Sequence, residues 1–257
     1  MKVLGESFDL HLGGEDLKFP HHEDEIAQSE GATGKPFVKY WMHGAFLLVE
    51  GKKMSKSLGN FFTLRDLLAK GFTGREIRYL LMTSHYRETF NFTLDGLQSG
   101  RTALARIDEC ISKLKGIAGG TVAEPKPDSE LLAQFSSALD DDLNVSRAWA
   151  AVFDWVRNRN LWYSLVEDLE KRGETNERQR SAEAAAELAA WNRIDSVLGI
   201  GSAAEVEAPA EIVALMEARL AARKAKDFKR SDAIRDELKA KGWVVEDSPK
   251  GPKLKKI

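Results

Sequence analysis

The chain has 257 residues, of which 43% are hydrophobic and 30% charged, and a formal net charge of −2. This length and composition indicate a globular protein of two or three modest domains and exclude a disordered or fibrous chain. No apolar run approaches the ~20 residues of a membrane span, and residues 1–14 lack the apolar segment of a signal peptide. The single cysteine, Cys110, excludes an internal disulfide, so a cytoplasmic protein is expected.

Charge is distributed unevenly along the chain. Residues 218–257 contain 13 Lys and Arg against 6 Asp and Glu, a surplus of +7, so the other 217 residues carry −9. A basic end on an acidic body indicates a polyanionic partner such as RNA. An exposed helix face followed by a basic tail explains the same counts, and charge alone leaves both interpretations open.

The N-terminal segment has the pattern of an α/β fold. Residues 7–11 alternate in polarity and predict a strand, which the motif GGED ends. Pro20 suits a helix start that places three acids in the first turns. The other elements predicted in this segment are strands over 37–41 and 45–51 and a polar loop over 52–60, KKMSKSLGN.

Helices are predicted for most of the remaining chain. Thr63 precedes a capped helix, and apolar residues then recur at helical spacing. Two aperiodic segments rich in small residues are the candidate linkers. The predicted helical regions are 74–84, 93–115, 130–200, 211–226 and 230–241, the linkers are 116–130 and 201–210, and the last predicted element is an extended segment over 242–254.

The stretch FPHHEDE contains a candidate metal site. His21 and Glu25 are four residues apart, so on a helix they share one face, and both can bind one Zn²⁺. His22 points about 100° away, and two ligands do not complete a tetrahedral site. On its own the pair also fits a surface hydrogen bond. Cys110 lies far along the chain in a predicted helix, where a packed small hydrophobe is expected.

The motif KMSKS is a more specific signal. Lys53 and Lys56 flank small residues immediately after a predicted strand. Such a loop can close over phosphates, while a lysine ammonium neutralises the charge that develops on a leaving pyrophosphate. The alternative is a basic loop without function. Such a loop would not need the complete pentapeptide followed by LGN, so the motif favours a functional loop.

These motifs resemble one family over essentially the whole chain. The stretches FDLHLGGEDLKFPHHEDEIAQSE and YWMHGAFLLVEGKKMSKSLGN resemble the second half of the catalytic domain of cysteinyl-tRNA synthetases, which are class I aminoacyl-tRNA synthetases. The stretches IRYLLMTSHYRETFNFT and ALDDDLNVSRAW resemble that family's stem-contact region and helical bundle, and KDFKRSDAIRDELKAKGWVVEDSPKGPKL resembles its anticodon-recognition end.

The resemblance implies an α/β fold, a partial class I nucleotide-binding fold, followed by a mainly α-helical bundle and a small C-terminal anticodon-recognition module. The implied domains are the second half of the catalytic domain with the KMSKS loop (1–60), stem-contact helices (61–118), an anticodon-binding type of helical bundle (119–200) and a basic anticodon-recognition module (201–257).

The resemblance also implies a zinc site and part of an ATP site. His21 and Glu25 match two ligands of a catalytic zinc that binds the substrate cysteine as a thiolate. Zinc prefers a thiolate to a hydroxyl, which would reject serine. Gly13, Gly14 and Asp16 match a loop that lies against the adenosine of ATP, with the aspartate near the ribose.

Further roles follow from the same resemblance. Lys56 matches the residue that steadies the ATP phosphates in the transition state, and Lys53 is expected to assist it. Trp41 and His43 match the floor of the nucleotide site, although structural packing of Trp41 fits as well. Leu12 departs from the family, which usually has a third glycine there, and its side chain could crowd the adenosine loop.

The family pattern includes two cysteine ligands and a HIGH-type ATP signature upstream, whereas no cysteine of this chain precedes Cys110. The implied protein is a truncated cysteine–tRNA ligase, inactive as this chain alone, with free sheet edges that promote self-association. Its parent would be a cytoplasmic monomer with one Zn²⁺ that acts on L-cysteine, tRNA(Cys) and ATP with Mg²⁺.

Two alternatives remain at this point. A cysteine–aminosugar ligase of the same fold would not need the basic end over 218–257, because a small acceptor requires no RNA-binding module. A non-catalytic tRNA-binding protein would bind tRNA without zinc or ATP.

Overall fold

Helices dominate the architecture of this protein, and two small groups of strands precede most of them. The computed structural model of the chain describes residues 2–126, 129–174, 176–201, 209–225, 227–248 and 251–256. The chain divides into two compact units, Met1–Gly201 and Ser202–Ile257.

The first unit begins with a β–α–β arrangement. Strand β1 (Phe8–Gly14) and strand β2 (Val38–Gly44) pair in parallel, and helix α1 (Glu23–Thr33) connects them. Helix α1 ends at Gly34, whose φ of 67° is the left-handed conformation that glycine adopts readily. The two predicted strands and the acidic first turn of the helix are therefore confirmed.

Helix α1 begins later than the sequence predicts. Phe19 is extended, with φ −138° and ψ 133°, and the residues up to His22 form two short turns rather than regular α-helix. The α-helix starts at Glu23, three residues after Pro20. The acids of the predicted first turn keep their place at its positive end.

A second sheet holds the start of the KMSKS motif. Strand β3 (Leu47–Val49) pairs antiparallel with β4 (Lys52–Lys53) and parallel with β5 (Phe90–Phe92). The stretch predicted as a loop over 52–60 therefore contributes its first two residues to a strand. A tight turn at Glu50 and Gly51, with φ of 51° and 74°, brings the chain back along β3.

Two short helices follow this sheet, and both begin with a capping box. Helix α2 (Leu64–Ala69) is capped by Thr63, and helix α3 (Gly74–Leu81) is capped by Thr73. In each box the threonine side chain accepts a hydrogen bond from the third helical amide, while the acid at that position accepts one from the threonine amide. The cap predicted at Thr63 is confirmed.

Four longer helices form the bundle of the first unit: α4 (Leu94–Ala118), α5 (Glu130–Asp140), α6 (Val145–Lys171) and α7 (Glu177–Leu198). Their core contains fully buried aliphatic side chains and the stacked indoles of Trp155 and Trp191, whose centroids are 5.8 Å apart. Cys110 is fully buried in this core, and burial raises the pKa of its thiol to about 12. The prediction that Cys110 packs as a small hydrophobe is confirmed.

The described residues of the second unit form two helices and a pair of antiparallel strands. Helices α8 (Ala210–Lys224) and α9 (Phe228–Ala240) precede the antiparallel strands β6 (Trp243–Ser248) and β7 (Gly251–Lys256). Their apolar core contains Ile212, Ile234, Leu238 and Trp243. Most of the predicted second linker, residues 202–208, lies outside the described residues.

None of the helices in the described ranges combines the length and the apolar character needed to cross a bilayer.

Candidate active site

The predicted site residues of the N-terminal segment meet at the carboxyl ends of β1 and β2. Because the strands are parallel and in register, Gly13 lies opposite His43 and Gly14 lies opposite Gly44. The turn that contains Asp16 leaves β1 at this edge. Ligands of open parallel sheets bind at the carboxyl ends of strands, so the edge is a suitable position for a nucleotide.

Two glycines at this edge lie close to side chains that follow them, and the space is tight at Gly13 but can open at Gly14, where only the exposed Asp16 side chain must move. A Cβ atom on Gly13 would lie 2.5 Å from Cε1 of His22, and one on Gly14 would lie 2.5 Å from Oδ1 of Asp16. The aspartate therefore folds back over the strand end, and the imidazole packs on the strand itself. The buried ring of His22 therefore explains on structural grounds why position 13 is a glycine, in addition to the role that the family resemblance implies.

Leu12, the departure from the family pattern, is 59% exposed. Leu10 and Tyr40, also in these two strands, are exposed as well. A two-stranded sheet in the described residues thus presents several large apolar side chains to solvent.

His22 is the most buried histidine of the site, with 3% of its surface exposed. Its Nδ1 lies 2.8 Å from Nε2 of His43, within hydrogen-bonding distance. The ring of Trp41 stacks on that of His11, with centroids 4.5 Å apart. Burial, followed by the neighbouring charge at His22, lowers the pKa of His43.

The turn before helix α1 and the first turn of that helix bring His21 and Glu25 together, as their spacing predicts. His21 Nε2 lies 3.3 Å from Glu25 Oε1, and the His21 side chain is 61% exposed. The other oxygen of Glu25, Oε2, is buried without a hydrogen-bond partner. It lies 2.9 Å from Nε2 of His11, which is the distance of an ion pair when that imidazole is protonated.

This donor set fits part of a zinc site. Imidazole nitrogens and a carboxylate oxygen are common zinc ligands, and the orphaned oxygen of Glu25 has an electron pair available. The role of His21 and Glu25 as ligands stays a prediction. His11 and His22 were not among the predicted ligands, because the sequence does not reveal that β1 and the start of α1 place them beside Glu25.

The KMSKS loop lies on the other sheet and is held by Asn60. The Asn60 side-chain oxygen accepts a hydrogen bond from the amide of Ser55, and its side-chain amide donates to the carbonyls of Val49 and Lys53. Lys53 ends β4 and is exposed. Lys56 is also exposed, and its ammonium lies 5.5 Å from the ring centroid of Phe61. Both lysine heads can therefore reach a solvent-borne anion.

In the second unit, helix α9 separates apolar from basic positions. It buries Ser231, Ile234 and Leu238 at intervals of three and four residues. The basic side chains of this helix are exposed: Lys229, Arg230, Arg235 and Lys239. Of these, Arg235 pairs with two neighbouring aspartates, so part of the charge is neutralised within the helix.

Three family models match consecutive parts of this chain. Residues 1–102 match the class I (C) tRNA synthetase catalytic domain, residues 134–201 match the DALR domain, and residues 205–252 match the anticodon binding domain of cysteinyl-tRNA ligase.

Curated relatives match over the full chain. A cysteine–tRNA ligase of Chlamydia muridarum is 44% identical over 261 residues, which is 100% of this chain and 54% of the relative. Those of Chlamydia felis and Protochlamydia amoebophila are 45% and 42% identical, again over 100% of this chain and over 53% and 52% of the relatives. The chain thus spans about half the length of the relatives that it matches.

A solved structure shares the fold. The Agrobacterium radiobacter K84 LeuRS, in a ternary complex with tRNA and LeuAMS, superposes with a TM-score of 0.53 at 18% identity. The similarity covers 75% of this chain and 26% of the other. Together with the helical content of the described residues, it supports the fold class that the sequence predicts.

Proposed function

Since the chain belongs to the cysteinyl-tRNA synthetase family, we propose that it is part of a cysteine–tRNA ligase. In this reaction ATP activates the carboxylate of L-cysteine as cysteinyl-adenylate, with release of pyrophosphate, and the acyl group then passes to the 3′ end of tRNA(Cys). The observation that carries the proposal is the match at 44% identity over the whole chain to a cysteine–tRNA ligase.

The edge formed by β1 and β2 would bind the adenosine of ATP. Gly13 and Gly14 leave the backbone uncovered there, and Asp16 is exposed beside them, where its carboxylate can accept hydrogen bonds from a ribose. ATP would enter together with Mg²⁺. In such sites the phosphate oxygens of the nucleotide supply most of the metal's ligands, so the protein needs no dedicated cage of its own.

The KMSKS loop would act on the phosphates. Lys56 would neutralise charge on the leaving pyrophosphate, with Lys53 assisting from the end of β4. The tether at Asn60 supports this role, because a held loop loses less entropy when its lysines bind phosphate. The chemistry needs no protein nucleophile, so positioning and charge neutralisation would supply the rate.

Zn²⁺ would bind to His21 and Glu25 together with cysteine ligands supplied from outside the 257 residues. When bound, this metal would recognise the thiolate of the substrate and so exclude serine. The chain's own contribution is to hold Nε2 of His21, just before α1, 3.3 Å from Oε1 of Glu25 in the first turn of that helix.

The helical parts would bind the tRNA. We propose stem contacts for residues 61–118, an anticodon-binding bundle over 119–200 and anticodon recognition by the basic module over 201–257. The exposed cations of α9 support the last assignment, because phosphate neutralisation supplies most of the affinity for nucleic acids.

The tRNA assignment can be tested with the chain as it exists. Fluorescence anisotropy would compare tRNA(Cys) with the same tRNA carrying an altered anticodon, at several salt concentrations. We expect weaker binding after the anticodon change and a smaller salt slope for Lys229→Ala with Arg230→Ala. Equal affinity for both RNAs would contradict anticodon recognition.

The rival activities are less well supported. An aminosugar acceptor needs neither the basic end over 218–257 nor an anticodon binding domain, which residues 205–252 match. For the parent enzyme we propose a monomer in the cytoplasm, where its tRNA serves protein synthesis.

A further inference from the structure

Residues 82–89, between helix α3 and strand β5, form a bridging segment that is bonded on one side to the start of helix α6. The indole of Trp149 donates a hydrogen bond to the carbonyl of Met82 over 2.9 Å, and the hydroxyl of Ser146 donates one to the carbonyl of Thr83 over 3.0 Å. Trp149 is itself buried in the core of the bundle. The position of α6 therefore fixes the first residues of the bridging segment.

Asp142, in the turn before α6, holds the following residues of the bridging segment. Its carboxylate accepts one hydrogen bond from the phenol of Tyr86, over 2.7 Å, and two from the guanidinium of Arg87, over 2.6 and 3.2 Å. Its backbone carbonyl, which can only accept, lies 2.8 Å from Nε2 of His85. An isolated surface ion pair contributes little, but a forked arginine within such a network fixes the geometry of both partners.

On its other side the bridging segment is bonded to the connection between β2 and β3, which consists of Ala45 and Phe46. The amide of Ala45 donates a hydrogen bond to the carbonyl of Tyr86 over 2.7 Å. The amide of Phe90, where β5 begins, donates one to the carbonyl of Phe46 over 2.9 Å. Tyr86 is therefore bonded to the bundle through its phenol and to the connection through its carbonyl.

This connection determines how the two parts of the candidate active site are spaced. The strand before it, β2, ends at Gly44 on the edge that would bind adenosine. The strand after it, β3, pairs with β4, where Lys53 begins the KMSKS motif. Because the connection has only two residues, a shift of Ala45 changes the distance between the edge and the loop.

We propose that Asp142 is a positioning residue for the formation of the adenylate: through Tyr86 and Arg87 it sets the spacing between the adenosine edge and the KMSKS loop. The inference rests on the proposed function, in which both places act on one ATP molecule. Adenosine at the edge fixes the nucleotide, and Lys56 then has to meet the charge that develops on the leaving pyrophosphate. A misplacement of about 1 Å in such an arrangement costs about 100-fold in rate.

Loss of this positioning has a kinetic signature that loss of stability lacks. Adenosine contacts only the edge, so the half-saturating ATP concentration should change little, whereas the maximal rate should fall because the lysine acts in the transition state. The effect should also disappear when Lys56 is already absent, because a missing ammonium cannot be misplaced. Two substitutions that act on one interaction are non-additive, and a double-mutant cycle measures this.

The test joins the chain, in natural order, to the remaining part of the Chlamydia muridarum ligase and measures single-turnover formation of cysteinyl-adenylate over a range of ATP concentrations. Asp142→Asn suits the left-handed conformation of this residue, φ 52°, but offers one accepting oxygen in place of two. We expect its maximal rate to fall about 10- to 100-fold, and that of Tyr86→Phe to fall as well. The neighbouring control Asp141→Asn should retain the unmodified rate.

Combination with Lys56→Ala separates positioning from a merely structural role. We expect Asp142→Asn to reduce the rate no further once Lys56 is replaced. Additive losses, or an unchanged maximal rate in Asp142→Asn, would overturn the inference while the proposed function stands. No adenylate from the unmodified joined protein would contradict the proposed function, and this inference with it.

Hydrogen exchange tests the physical link in the 257-residue chain alone, without any activity. In Asp142→Asn and in Tyr86→Phe the amide of Ala45 should exchange faster, because the carbonyl that it bonds to is no longer held, while the helices of the bundle keep their protection. Asp141→Asn should leave the Ala45 amide as it is. Unchanged exchange at Ala45 in both test variants would overturn the proposal whatever the enzymatic result.

Discussion

The guanidinium of Arg87 donates a hydrogen bond to Asp142, with 2.6 Å between Nε and Oδ2. The phenol of Tyr86 donates to the other carboxylate oxygen over 2.7 Å. These bonds join the segment before β5 to the turn between α5 and α6, where Asp142 and Leu143 both have positive φ. One carboxylate therefore holds a strained turn of the bundle against the part of the chain that carries the KMSKS sheet.

Asp142 should make stability depend on pH in the acid range. Hydrogen bonds from Arg87 and then Tyr86 lower its pKa to about 2, against about 3.9 for an unfolded aspartate. Because the folded-state pKa is the lower one, the stabilisation is complete above about pH 4 and is lost as the pH falls towards 2. Urea unfolding from pH 5 to pH 2 should show a smaller pH dependence for Asp142→Asn. The exposed neighbour variant Asp141→Asn should retain the wild-type dependence, and identical curves for both variants would contradict the assignment.

Gly13 should not tolerate a side chain. In Gly13→Ala the new Cβ would lie 2.5 Å from His22 Cε1 and 2.9 Å from Nε2, so the ring or the strand end must move. We expect a loss of about 1–3 kcal/mol in the free energy of unfolding, measured by urea denaturation. In Gly31→Ala the added atom meets nothing within 4 Å on helix α1, and a gain of about 1 kcal/mol is expected. Equal stability of the two variants would show that His22 does not occupy the space beside Gly13.

Arg101 should be required to keep Glu76 buried and charged. Glu76 is 7% exposed and accepts hydrogen bonds from Arg101 and from the amide of Thr73. Burial raises its pKa, but the bonds from Arg101 and Thr73 outweigh burial and lower it. Arg101→Ala should cost about 1.5–3 kcal/mol in unfolding free energy, whereas Arg106→Ala, on an exposed face of α4, should cost little.

The coupling between Arg101 and Glu76 is measured by combining Arg101→Ala with Glu76→Gln in a double-mutant cycle. Removal of the charge should make the loss of Arg101 less costly, because no buried carboxylate is then left unpaired. Strictly additive effects of the two substitutions would exclude the coupling.

Asn60 should determine how firmly the KMSKS loop is held. Asn60→Ala removes the acceptor of the Ser55 amide and the donors to Val49 and Lys53. Hydrogen exchange of the Ser55 amide should become faster, while the helices of the bundle keep their protection. Ser57→Ala, which loses a bond between two hydroxyls, is the control and should leave the Ser55 amide protected. Unchanged hydrogen exchange of the Ser55 amide in Asn60→Ala would show that Asn60 does not hold the loop.

Local patterns were sufficient to predict much of the first unit. The alternation of apolar and polar residues located β1, and the four-residue spacing placed His21 beside Glu25. These features depend on residues that are near in sequence. The parallel pairing of β3 with β5 was not predictable, because more than 40 residues separate Leu47 from Phe90.

The same limit applies to the candidate site. Helical geometry predicts that the side chains of His21 and His22 point in different directions, but it does not reveal which residues His22 packs against. The contacts with Gly13, His43 and Trp41 arise because β1 and β2 meet the start of α1 in three dimensions. His11 could have been suspected only from its place in β1, two residues before Gly13.

The most direct test of the ligase proposal measures cysteine-dependent ATP–pyrophosphate exchange. The chain would be joined, in natural order, to the remaining part of the Chlamydia muridarum ligase and compared with Lys56→Ala and with the neighbouring control Lys52→Ala. We predict exchange with cysteine but not serine, lost in Lys56→Ala and retained in Lys52→Ala, and none with the 257-residue chain alone. A folded, zinc-loaded protein that does not exchange pyrophosphate, or one that is indifferent to Lys56, would contradict the account.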